Sequence, residues 1–146
     1  MVNLEKIAKD YELSPNELCN VDGGRLYLSD TQEKYIQGVE KLTAFMTFEG
    51  SLSYISIVSS DKLEEHLNRL DDIVPGSKFY RTWHREGIVH LPKILGQEKQ
   101  IKDLAVRVGE RDEVIVYNLD EYHRLLKEIK RKGFDDLSFL PPYIKI

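Results

Sequence analysis

Apolar positions along this chain repeat with two different periods, and the switches between them mark out the predicted elements. Over residues 3–18, Ile7, Ala8 and Tyr11 fall on one helical face, and "ELSP" interrupts it. Ser14, followed by Pro15 and by Glu17 three positions on, has the form of a capping box opening a second short helical segment. The apolar spacing of this stretch resembles a helix-turn-helix; the alternative is a small helical cap on the core. "DGGRLYL" reads as a tight turn into a short strand over 25–28. Over 30–49, Tyr35, Val39, Leu42 and Met46 form a stripe at helical spacing, widened by Ile36 and Phe45. That predicts a long helix capped by Ser29 or Asp30 and ended by Gly50. "SLSYISIVSS" alternates and is β-branched, which predicts a strand.

Asp61 is placed to cap a further helix with Leu63, Leu67, Leu70 and Val74 on its buried face, stopped by Pro75 and Gly76. "SKFYRTWHREGIVHLPKI" predicts two strands turning near Gly87. Ile101, Leu104, Ala105 and Val108 predict a helix over 97–108 with Gly109 past its end. "EVIVYN" reads as a strand, and a helix capped by Asn118 follows, with Tyr122, Leu125, Leu126 and Ile129 inward. The tail over 135–146 is apolar enough to dock. This mixture of helices, strands and a hairpin without regular βαβ spacing points to the α+β class. The expected division is a small helical N-terminal extension, 1–30, and an α+β core, 31–146.

The 146 residues suit one such core, and the 41% apolar and 32% charged content is that of an ordinary globular chain. There is no run of about 18 apolar residues to span a membrane as a helix, and no apolar leader at the start. The single Cys19 excludes an internal disulfide and a cysteine zinc cage. A cytoplasmic, intracellular setting is therefore expected. The net charge of −4 speaks against a general nucleic-acid binder, but the charge is uneven. Residues 77–93 hold Lys78, Arg81, Arg85 and Lys93 against Glu86 alone, with His84 and His90 among them. No Gly-rich phosphate loop, GxSxG elbow or HExxH spacing is present.

Two features could carry chemistry. The first is Glu49, an acid at the end of a predicted helix, where the dipole disfavours it by a few tenths to about 1 kcal/mol. A divalent metal held there would offset that cost, and Mg²⁺ with phosphate oxygens would suit phosphodiester cleavage. The alternative is a plainly exposed carboxylate. The second is the basic ribbon. Alternation puts Lys78, Tyr80, Thr82 and His84 on one face and Phe79, Arg81, Trp83 and Arg85 on the other. A two-stranded ribbon fits the DNA major groove, where Arg and Lys read guanine and neutralise phosphate. The alternative is a hairpin with one face on the core and its charges in water.

"LTAFMTFEGSLSYISI" resembles the LAGLIDADG motif of homing endonucleases, in versions reading "LAGFFDGEGS" before a strand. Leu42, Ala44, Phe45, Glu49 and Gly50 match; Thr47 stands in place of the motif's first acid and Phe48 in place of a small residue. The similarity extends over about 36–110. It implies an αββαββα core in which motif helices pair across a homodimer through Leu42, Ala44 and Phe45. It also implies Glu49 as the catalytic, Mg²⁺-binding acid, and double-stranded DNA as the partner, contacted by Lys78, Tyr80, Arg81, His84, Arg85 and Lys93. The function implied is DNA binding with metal-dependent endonuclease activity. Two other functions stand beside it: a non-catalytic DNA-binding regulator and a small intracellular protein-binding or inhibitory module.

Overall fold

Strand alternation governs far more of the chain than its helical periods suggest. A computed structural model describes residues 3–29, 33–49, 52–68, 78–110 and 113–132. It contains eight strands: β1 (Leu18–Asp22), β2 (Arg25–Tyr27), β3 (Lys41–Glu49), β4 (Leu52–Ser59), β5 (Phe79–Arg85), β6 (Ile88–His90), β7 (Leu104–Glu110) and β8 (Glu113–Tyr117). They close into one antiparallel barrel in the order β1-β2-β6-β5-β3-β4-β8-β7, with β7 pairing back onto β1. Closure leaves no strand edge unpaired around the ring. The helices are α1 (Leu4–Asp10), α2 (Leu63–Asn68), α3 (Lys93–Glu98) and α4 (Leu119–Lys132), with 3₁₀ turns at Pro15–Glu17, Lys34–Ile36 and Ser60–Lys62.

The lumen is filled by every second residue of the staves. Cys19, Val21, Leu26, Leu42, Ala44, Met46, Ile55, Ile57, Val89, Ala105, Val114 and Val116 form one buried cluster, joined by Ile36, Leu95 and Ile101 from the connecting segments. Each fully buried aliphatic chain of this kind contributes about 1.5–3 kcal/mol of hydrophobic stabilisation. A second cluster lies outside the barrel. There Leu18, Tyr54, Val106, Ile115 and Tyr117 are covered by Tyr122, Leu125 and Ile129 of α4 and by Ala8 of α1. Asn118 starts α4 by accepting from the Glu121 amide at 3.1 Å, while its own amide donates to the Lys99 carbonyl at 3.0 Å. Tyr11, just past α1, donates to Asp120 Oδ1 at 3.1 Å and sets its ring edge-on to His123.

The chain folds as two similar halves. Each runs hairpin, plug, hairpin, helix: β1 to α2, then β5 to α4. Exchanging β1 with β5, β2 with β6, β3 with β7 and β4 with β8 returns the same set of strand pairings, so the barrel has an internal two-fold axis. The axis passes through the β2–β6 contact, where Leu26 faces Val89 and Arg25–His90 and Tyr27–Ile88 flank it. The match reaches individual hydrogen bonds. The Leu28 amide donates to Gly87 O at 2.8 Å, and the Leu91 amide donates to Gly24 O at 2.7 Å. Both hairpin turns need two left-handed residues: Gly23 and Gly24 in the first, Glu86 and Gly87 in the second. Once the axis is known the repeat shows in sequence as "ISIVSSDKL" against "VIVYNLDEY".

The α+β, αββαββα expectation is corrected by this barrel. Of the predicted helix over 30–49, residues 34–36 form a 3₁₀ turn and 41–49 are β3, while 30–32 lie outside the described residues. Leu42, Ala44 and Met46 line the lumen while Thr43, Phe45 and Thr47 are buried on the outer side, so the segment is apolar on both faces and loses its alternation. The predicted helix over 97–108 is the end of α3 and then β7, for the same reason: Ala105 packs inward and Val106 packs outward beneath α4. The N-terminal stretch is not a helical appendage, because β1 and β2 are staves of the barrel. The Ser14 capping box is present, with the Ser14 amide donating to Glu17 Oε1 at 3.1 Å, but it opens a single 3₁₀ turn that runs into β1, leaving no helix-turn-helix. Strands at 52–59 and 113–117, the 79–90 hairpin and helix 119–132 stand where the pattern places them. The predicted helix from Asp61 is present as Leu63–Asn68. Leu70, Val74, Pro75, Gly76, Asp30, Gly50 and the 135–146 tail lie outside the described residues.

Candidate nucleic-acid interface

Outward residues of β2, β6, β5 and the start of β3 form a wall on which exposed rather than packed side chains stand. Strand β5 alternates as the sequence implies: Phe79, Arg81, Trp83 and Arg85 are exposed and Thr82 is buried. Register carries the wall across its neighbours. Trp83 lies opposite Lys41 on β3, and Arg25 of β2 lies opposite His90 on β6. The β5–β6 ladder brings His90 beside Trp83, with ring centroids 4.4 Å apart and planes 31° apart. One row therefore reads Asp22, Arg25, His90, Trp83, Lys41. A second reads Asn20, Tyr27, Ile88, Arg85, from the same ladders. Arg81 sits one step further along β5, opposite Thr43.

Trp83 is 56% exposed, an unusual position for a large apolar ring on a soluble face. Arg25, Lys41, Arg81 and Arg85 are all exposed. Among the described residues, no ion pair or hydrogen bond engages the Arg81 or Arg85 side chain. Arg25 folds back to donate from Nε to the Asp22 carbonyl at 3.4 Å. Exposed acids at its margins are Asp22 on β1, Glu40 immediately before Lys41, and Glu86 at the β5–β6 turn. The wall is thus basic and aromatic along β5, with acids at its edges.

Of the expected DNA contacts, Arg81 and Arg85 point out of this wall, Lys78 is exposed just before β5, and Lys93 is exposed at the start of α3. Tyr80 and His84 turn the other way. Tyr80 packs against the lumen cluster, and His84 Nε2 is hydrogen-bonded to the Val39 carbonyl. They fix β5 in the barrel, as does the bond from Thr82 Oγ1 to the His90 carbonyl. Arg25 and Lys41 come to the wall from distant strands, and only the barrel register brings them there. The hairpin is no free ribbon, since β3 and β2 flank it on either side.

Leu42, Ala44 and Phe45, the expected dimer contacts, are each fully buried within the single chain, the first two in the lumen and Phe45 outside it against the Phe79 ring at 5.2 Å. Glu49 is the last residue of β3 and pairs with Leu52 across a hairpin, so it does not stand at a helix end. Among the described residues no group of three or more His, Cys, Asp or Glu side chains could hold a metal. Burial pushes the Cys19 thiol up to about 12, partly countered by Arg107. That keeps it protonated and unreactive at neutral pH. Lys99, buried between β4 and α4, donates to Ser53 Oγ at 2.8 Å and pairs with Glu121 at 2.7 Å, pinning the turn after α3 to the barrel end.

No model of a known protein family matches this chain, and no curated protein matches it. Among the described residues no helix is long and apolar enough to cross a membrane.

Proposed function

We propose that the protein binds double-stranded DNA, without cleaving it, through the wall formed by β2, β6, β5 and β3. The observation that carries this reading is the outward set Arg81, Trp83 and Arg85 on β5, joined by Lys41 and Arg25 from the neighbouring staves. Strands are about 4.8 Å apart, so these four staves span about 14 Å, and Arg81 to Arg85 along β5 is about 13 Å. Both dimensions are close to the roughly 12 Å major groove, so the basic groups reach phosphates on both of its sides. A single strand would instead be followed by a linear track. The overall charge of −4 is compatible with this, because phosphate contacts are short-ranged at physiological salt and depend on the local wall. No cleavage step belongs to the reading: the reason for a metal at Glu49 was a helix end, and Glu49 closes a β-hairpin.

Fluorescence anisotropy with a labelled 20-base-pair duplex tests it. With four phosphates neutralised, the slope of log affinity against log salt is about −3.6, so affinity falls by about two orders of magnitude between 50 and 200 mM salt. Arg81→Gln with Arg85→Gln should flatten the slope by about two and leave the fold intact. Plasmid incubated with Mg²⁺ should stay supercoiled. Absence of binding at 50 mM salt, or tighter binding to the single strand than to the duplex, would overturn the reading; nicking abolished by Glu49→Gln would restore the endonuclease.

A further inference from the structure

The two halves share one backbone but present different chemistry on the wall, and the difference is directional. The two-fold axis at Leu26 and Val89 maps the first hairpin onto the second. Under it Asp22 corresponds to Arg85, Asn20 to Trp83 and Leu18 to Arg81, while Gly23 and Gly24 correspond to Glu86 and Gly87. On β1 and β5 the first member of each pair is acidic, polar or buried and the second is basic or aromatic and exposed; on β2 and β6 Arg25 corresponds to Ile88 and Tyr27 to His90, so the contrast lies between β1 and β5. Leu18 lies buried in the cluster that α1 and α4 cover, whereas Arg81 is open to solvent. Asp22 stands in the same row as Arg25, His90, Trp83 and Lys41, at the opposite end from Lys41.

Resting on the DNA-binding reading above, we propose that the duplicated barrel offers DNA one contact rather than two, and that Asp22 is the residue that sets this one-sidedness. Among these pairs Asp22 and Arg85 form the one acid-to-base reversal; a basic residue at both would remove it and bring the wall nearer to the matched charges with which a two-fold protein meets a palindromic site. With Asp22 in place, the phosphates that would lie over β1 meet a like charge, and the duplex is held towards β5 and β3. The target is then a single non-palindromic segment per chain, and Asp22 discriminates against DNA that extends across β1.

The test is a set of charge changes read by anisotropy on a 20-base-pair duplex. Asp22→Arg should raise affinity by about threefold to tenfold at 100 mM salt and steepen the salt slope by about one, since one more phosphate is neutralised. Arg85→Asp should weaken binding by at least tenfold. Glu128→Arg makes the same charge change on the exposed side of α4, which covers the wall of β7, the stave diametrically across the ring from β5. It should alter affinity by less than twofold. Urea unfolding checks that the three variants keep wild-type stability. An unchanged affinity for Asp22→Arg, or an equal rise for Glu128→Arg, overturns the assignment of Asp22, and the first result would leave the β5 interface standing. Failure of the wild-type protein to bind any duplex would instead remove the DNA reading itself.

Discussion

Tyr117 and Trp83 are both large aromatic residues at outward positions of the same barrel, yet one is fully buried and the other is 56% exposed. The difference lies in what the chain does next. After β8 it turns at Asn118 into the 14-residue helix α4, which lays Tyr122, Leu125 and Ile129 over Tyr117, Ile115 and Val106. Beside β5 the neighbouring outward positions are Lys41, Arg25 and His90. The strands are alike; the covering helix turns one wall into core and leaves the other as a surface. An outward aromatic is therefore informative only together with the element that would cover it.

Single substitutions should separate the two walls sharply. Ile115→Ala beneath α4 removes buried volume and should cost about 2–5 kcal/mol in urea denaturation. Arg81→Ala on the open wall should stay within about 0.5 kcal/mol. Equal costs would mean that the open wall is packed after all. A smaller contrast lies in the second hairpin turn. Gly87 has φ +79°, and an added Cβ would meet the Leu28 carbonyl at 3.3 Å, so Gly87→Ala should cost about 1–2 kcal/mol. Its neighbour Glu86 already holds φ +52°, and Glu86→Gly should change stability by less than about 0.5 kcal/mol, with relief of strain offset by greater freedom in the unfolded chain.

The lumen has its own, subtler signature. A thiol raised from 9.0 to about 12 contributes stability that is fully present below pH 9 and is lost as pH rises towards 12, because only the unfolded chain releases the proton there. Cys19→Ser should remove this part of the alkaline destabilisation. At pH 8, a thiol reagent should label Cys19 only at the rate of global opening, and faster labelling would show that the lumen opens locally.

Much of the barrel is readable in the chain. The β5–β6 hairpin and α4 announce themselves because "FYRTWHR" alternates with one wet side and Asn118 precedes an apolar stripe, whereas β4 and β8 are buried on both faces and show instead as short β-branched runs, "SYISIVS" and "EVIVY". β3 and β7, also buried on both faces over most of their length, do not, because their apolar residues fall at three- and four-residue spacings (Leu42, Phe45 and Met46; Leu104, Ala105 and Val108, with Ile101 before them) that fit a helix equally well. The expected helix gave Glu49 a dipole to oppose, and that dipole is absent because Glu49 ends a strand. The wall was half legible. Arg81 and Arg85 follow from alternation along β5, whereas Arg25 and Lys41 reach it through barrel register. The internal repeat survives in the sequence only as pattern: the "GG" of the first turn is "EG" in the second, and Asp22 corresponds to Arg85. A two-fold axis lies within the single chain.

The most direct test is to map amide chemical shifts of the ¹⁵N-labelled protein as a 20-base-pair duplex is added. The expected result is perturbation of Arg81, Trp83, Arg85, His90 and Lys41, with Leu119–Lys132 and the Asp22 margin unmoved. Perturbation centred on Leu119–Lys132, or none at 50 mM salt, would contradict the assignment of the open wall as the DNA-binding face.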